Sequence, residues 1–133
     1  MLAIEPVMGI TDNLAPLITF SPALPAGEKI TTVESPSEGP GLEPCSLQKD
    51  NVRTVPAFAK KPVLFVVSPE SRPQFTGRVH CSVHVLNQLG ATAKLARLDQ
   101  DYGIKGNGHF MNEELNNGEI AKKVFIPFLS SIK

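Results

Sequence analysis

His109 is the residue in this chain best placed to do chemistry. It lies in the stretch GIKGNGHFMNEELNN, residues 103 to 117, behind Gly106, Asn107 and Gly108 and ahead of an apolar pair, an acidic pair and two asparagines. Glycine and asparagine accept turn conformations that bulkier residues resist, so this spacing predicts a constrained loop presenting one imidazole. Imidazole exchanges protons near neutral pH, which suits it to general-base work. By spacing alone, a surface or structural role is the default for a single loop histidine. No nucleophile accompanies it, because the sequence contains no Gly-x-Ser triplet.

Other groupings carry less. His80 and His84 stand four apart with Cys81 between them, a spacing able to bind zinc on a helix, but no second well-spaced ligand pair exists. No metal site is expected. The glycines of GIKGNG suggest a phosphate cradle, yet a dinucleotide fingerprint needs a helix start after its glycines and an acid about 20 residues on. No cofactor is expected either. Asp99 and Asp101 read as a solvated turn at the loop entrance. The acids of NEELNNGE read as the polar first turns of a last helix, where the helix dipole favours them. Cys45 and Cys81 give no redox framework: two unpaired thiols are the default, and pairing is the alternative if the chain or its parent is secreted.

The elements that must position His109 lie in the second half. KPVLFVV, residues 61 to 67, is a continuous apolar, β-branched run, the pattern of a strand covered on both faces in a parallel sheet. SPESRPQFTG reads as a loop. From Arg78 to Leu89, Val79, Val83, Leu86 and Leu89 recur at helical spacing, and Gly90 stops the helix. TAKLARL, residues 92 to 98, alternates as a strand. Residues 112 to 126 read as a closing helix with Leu115, Ile120 and Val124 inward, until Pro127 disturbs its last turn. Strand, helix, strand, loop, helix is a right-handed crossover unit with a closing helix, half of an α/β domain. His109 then follows the last strand, at the carboxyl end of a sheet, where such folds gather their chemistry.

Residues 1 to 61 differ. Eleven of the twelve prolines lie at or before Pro73, and the segment reads as Pro-rich and loop-dominated, with short strands at LITF and around KITTV. Two units are therefore expected, 1–61 and 62–133. The 13 basic and 13 acidic residues cancel, which leaves no electrostatic footprint for nucleic acid or an anionic membrane. Apolar runs such as PVLFVV fall far short of the roughly 20 residues of a membrane span. The start MLAIEPVMGITDN has no basic, apolar leader, so a cytoplasmic location is the default expectation.

The stretch GIKGNGHFMNEELNNGEIAKKV resembles the C-terminal histidine block of an α/β-hydrolase family of bacterial and fungal esterases. KPVLFVVSPES resembles that family's penultimate strand and following loop, and HCSVHVLNQLGATAKLARL its next helix and strand. GITDNLAPLITFSPAL and PCSLQKDNVRTVPAFAKKP resemble a fungal-type insertion before that strand. The resemblance implies the C-terminal portion of an α/β-hydrolase fold, a small-molecule ester as the parent family's substrate, and His109 as general base. It also implies an acid in an apolar-Glu-Pro motif, which LAIEP supplies as Glu5, although only Val7 and Met8 separate this motif from GITD. Glu34 imitates the motif less well, since Ser35 follows it.

The departures bear on activity. The family's nucleophile sits on a Gly-x-Ser-x-Gly elbow that precedes the acid and the histidine in sequence, and this chain has none. The expectation is a truncated hydrolase that keeps the base and is inactive alone. The alternative is a non-catalytic binding or regulatory protein that reuses the half-domain. A parallel half-sheet short of its parent's strands would also leave an edge open to self-association.

Overall fold

The computed structural model describes residues 1–4, 18–49 and 52–132. A parallel sheet of three strands, in the order β1 (Leu2–Ile4), β4 (Pro62–Val67), β5 (Thr92–Arg97), forms its centre. A separate antiparallel pair joins β2 (Thr32–Glu34) to β3 (Ser46–Gln48). The helices are α1 (Pro73–Thr76), α2 (Val79–Gln88), α3 (Leu98–Tyr102), α4 (Asn117–Ile120) and α5 (Ile126–Ser131), the last two joined by a π-helical turn over Ala121–Phe125.

The β4 run explains the layering. Successive side chains of a strand point to opposite faces, and here both faces are dry. Val63, Phe65 and Val67 enter one core with Val79, Val85, Leu86 and Leu89 of the α2 region. Leu64 and Val66 enter a second core with Leu98, Ile104, Met111, Ile120 and Val124. Burying each such side chain contributes about 1.5–3 kcal/mol, so an all-apolar β4 is what this sandwiched position selects. The parallel register sets Leu2 opposite Leu64, Ala3 opposite Phe65 and Ile4 opposite Val66, with β5 in register from Pro62–Thr92 to Val67–Arg97. Among the described residues, the outer edges of β1 and β5 carry no strand neighbour.

The first half does more than connect. Phe20 and Val55 are buried in the α2-side core, and Ile18, Leu24, Ile30, Leu47 and Phe58 pack against it. The segment thus helps to cover one face of the sheet. Of the expected strand at LITF, Leu17 lies outside the described residues, and Phe20 is followed only by an isolated bridge between Ser21 and Thr54. The strand expected around KITTV forms as β2.

Three local expectations need correction. Pro73 starts a one-turn helix, α1, within the expected loop, as suits a residue with its φ already set for a helix start. Asp99 and Asp101 lie in the short helix α3, where Asp101 Oδ2 accepts the Arg97 N–H at 2.7 Å. The closing helix starts at Asn117, five residues later than expected, because residues 109–116 are spent on turns. Leu115 is accordingly fully exposed, while Ile120 and Val124 are buried as expected. Pro127 disturbs the helix as expected, and the helix continues past it to Ser131. The widened turn before it, closed by the Ile126 N–H on the Ala121 carbonyl, gives space to a ring that would otherwise clash with the preceding turn.

Candidate functional site

His109 lies where the segments leaving β4 and β5 meet, at the carboxyl end of the sheet. The contact is direct. The Glu70 N–H, in the segment after β4, donates to the Asn107 carbonyl at 3.0 Å. The half-buried His109 ring stacks on Phe75 of α1, with centroids 4.3 Å apart and planes at 21°. Phe110, largely exposed, meets the same ring edge-on at 5.2 Å. The imidazole is therefore held between two aromatic rings with part of its surface open.

The loop before it is built from a few strong contacts. Gly103 ends α3 at φ 68° and Gly106 turns the chain at φ 78°, a region that side chains rarely enter. Asn107 is wholly buried. Its Nδ2 donates to Glu114 Oε2 and to Asn116 Oδ1, both at 2.6 Å, and its Oδ1 accepts from Asn116 Nδ2 at 2.8 Å. Glu114 Oε1 accepts the Gly108 N–H at 2.7 Å. Beyond the histidine, Met111 is fully buried in the second core. Glu114, Asn116 and Phe75 were not singled out from sequence. Glu114 and Asn116 looked like helix-start residues, and Phe75 sits more than thirty positions away with no local pattern to link it to the histidine.

Glu5, the expected acid, lies outside the described residues. β1 ends at Ile4, and it runs parallel to β4, so its carboxyl end faces the same side of the sheet as the loop of His109.

A second cluster gathers around α2. Cys45 and Cys81 form a disulfide, with Cα atoms 5.1 Å apart and a sequence separation of 36. This corrects the expectation of two free thiols: the β2–β3 unit lies along α2 and brings the sulfurs together, a proximity that two isolated cysteines do not advertise. His80, 4% exposed, has Nε2 at 3.1 Å from the Glu43 carbonyl, which fixes that nitrogen as the N–H donor. Its Nδ1 is buried with no hydrogen-bond partner among the described residues. Burial pushes the His80 imidazole below its usual range, and nearby His84 and Arg97 act in the same direction against Glu38 and the Glu43 hydrogen bond. His84 turns instead to Glu38. The zinc spacing of His80 and His84 is thus divided between two separate partners. Among the described residues one group of possible ligands does converge, Cys45, His80 and Cys81 within 4.8 Å, and two of its three members are joined to each other.

Three parallel strands with helices against the sheet make a partial α/β fold, with a loop histidine at the strands' carboxyl end. A comparison of sequences gives this arrangement a relative. The chain is 32% identical over 108 residues to a fungal protein named "Probable secreted lipase phiG" (Fungal sp., strain ATCC 74256), a match covering 80% of this chain and 29% of the lipase. The chain thus spans less than a third of that protein's length. No protein-family model and no solved structure matches it. No helix among the described residues is long and apolar enough to cross a membrane.

Proposed function

We propose that this chain is the histidine-bearing part of a carboxylic-ester hydrolase of the α/β-hydrolase type, with His109 as general base. The observation that carries the reading is the loop of His109, fixed by buried polar contacts yet leaving the imidazole partly open. A surface histidine needs no such anchoring. The similarity to a secreted lipase supports the same chemistry. In this reading His109 takes the proton of a serine hydroxyl and returns it to the departing alkoxide. Glu5 is the acid that fixes the ring's tautomer and stabilises the imidazolium. The direction of β1 supports this choice, since Glu5 is the next residue after Ile4. The exposed Phe110 beside the imidazole offers an apolar wall to the ester.

The 133 residues contain no Gly-x-Ser elbow, so a nucleophile and its oxyanion hole would have to come from outside this stretch. By themselves these residues form no acyl-enzyme and turn over no ester. A chimera tests the reading: the chain replaces the aligned 29% of the fungal lipase, and hydrolysis of a short-chain aryl ester is followed. Activity that falls by about six orders of magnitude on His109→Ala, to the residual left by binding and the oxyanion hole, agrees with a general base. An active chimera indifferent to His109→Ala refutes the assignment, and ester turnover by the isolated chain above its own His109→Ala variant refutes the dependence on an outside nucleophile.

A further inference from the structure

We infer that Glu114 is the positioning residue for His109, an assignment that rests on the reading of His109 as the base and deepens it. Acids near a helix start are ordinarily explained by the helix dipole, but the carboxylate of Glu114 is engaged elsewhere. Its Oε1 accepts the backbone N–H of Gly108 at 2.7 Å, and its Oε2 accepts the side-chain amide of Asn107 at 2.6 Å. One side chain therefore clasps the two residues that immediately precede the imidazole.

The chemistry of the clasp specifies the residue type. Both groups facing Glu114 are donors, so both of its terminal atoms must be acceptors, which is true of a carboxylate and not of a glutamine amide. Hydrogen bonds to a charged acceptor are also about twice as strong as neutral ones. Water cannot readily replace the Asn107 contact, because Asn107 is wholly buried while Glu114 is half-buried. The other anchors of the loop each act at one residue: the Glu70 N–H and the Asn116 amide both hold Asn107. Glu114 extends the hold to Gly108, the neighbour of His109.

What this achieves is placement of the ring. With Gly108 fixed on one side and Met111 buried on the other, the imidazole remains stacked on Phe75. A general base must sit within hydrogen-bond reach of the proton that it takes, and a misplacement of about 1 Å can cost on the order of a hundredfold in rate.

The test reads the ring's position in the intact 133-residue chain, labelled for NMR. Stacking on Phe75 displaces the His109 ring-proton resonances by ring current and gives cross-relaxation between the two rings. In Glu114→Ala, the His109 resonances should move toward their free-histidine positions and the cross-relaxation to Phe75 should weaken severalfold. The methyl resonances of Val66 and Leu86 in the two cores should stay in place. A merely stabilising contact would leave the ring signals unchanged below the melting temperature. Unchanged His109 signals in a folded Glu114→Ala chain overturn the inference. If that variant does not fold, Glu114→Gln, which keeps one acceptor, decides by the same signals. None of these readouts requires hydrolysis, so a failed clasp and a failed esterase reading are told apart by the NMR and the chimera respectively.

Discussion

Asn107 and Asn116 exchange hydrogen bonds through their side-chain amides, each donating to the other's oxygen, at 2.6 and 2.8 Å. Such a pair is costly to break on the Asn116 side, since the surviving Asn107 is wholly buried and has no water to turn to. Asn116→Ala removes one donor and one acceptor from the wholly buried Asn107. The expected loss is about 1–3 kcal/mol. It should appear as a lower midpoint in urea unfolding with an unchanged slope. A midpoint identical to the parent chain would mean that the pair contributes nothing.

The Cys45–Cys81 link ties the β2–β3 unit to α2 across 36 positions of sequence. Closing a loop of this length restricts the unfolded chain and is worth about 2–4 kcal/mol. The oxidised chain should weigh two hydrogens less than the reduced one. Reduction, or the double change Cys45→Ser and Cys81→Ser, should lower the melting temperature by several degrees. Arg78–Glu43 and His84–Glu38 lie along the same seam but are largely solvent-accessible, and exposed pairs contribute little. Equal melting of the oxidised and reduced chains would show that the seam holds without its covalent link.

His80 makes stability depend on pH, and the sign follows from burial. Its folded imidazole titrates below the 6.5 of the free side chain because desolvation disfavours the charged form. Above 6.5 both folded and unfolded chains hold it neutral, and its stabilising contribution is fully present. As the pH falls below 6.5, the unfolded chain binds the proton first, so that contribution is progressively lost until the folded pKa is also passed. Between about pH 7 and pH 5, His80→Gln should therefore lose less stability than the parent chain. Parallel stability curves for the two would place the titration elsewhere.

The strands that carry the site were legible because each is a local pattern. A run as apolar as Val63–Val67 fits only a strand buried on both faces, and the α2 periodicity ending at Gly90 left little freedom. The constrained loop ahead of His109 was legible through its glycines and asparagine. What surrounds it was not. The Glu114 clasp spans six residues of irregular backbone, and its acid looked like an ordinary helix-start carboxylate. The stack on Phe75 and the Cys45–Cys81 link are tertiary accidents of how the loops lie on the sheet, invisible to any periodicity. Leu115 shows the converse error. It stands five positions before Ile120, about 140° round an α-helix and so off the face of Ile120 and Val124, and the turns that bring Glu114 and Asn116 back to Asn107 delay the helix and leave that leucine in solvent.

The pairing of β1 with β4 sets an order of events. The Met1 ammonium meets the Pro62 carbonyl across 61 positions of sequence, whereas β4, α2 and β5 follow one another directly. Contacts that close longer loops cost more chain entropy before they return any stabilisation, and they slow folding. On loop-closure entropy the β4–α2–β5 unit is expected to form first, with Leu2–Ile4 docking afterwards onto its edge. Until that docking occurs, one flank of β4 stands open to any extended segment of another chain, so the interval between the two steps is when this protein is most exposed to misassembly.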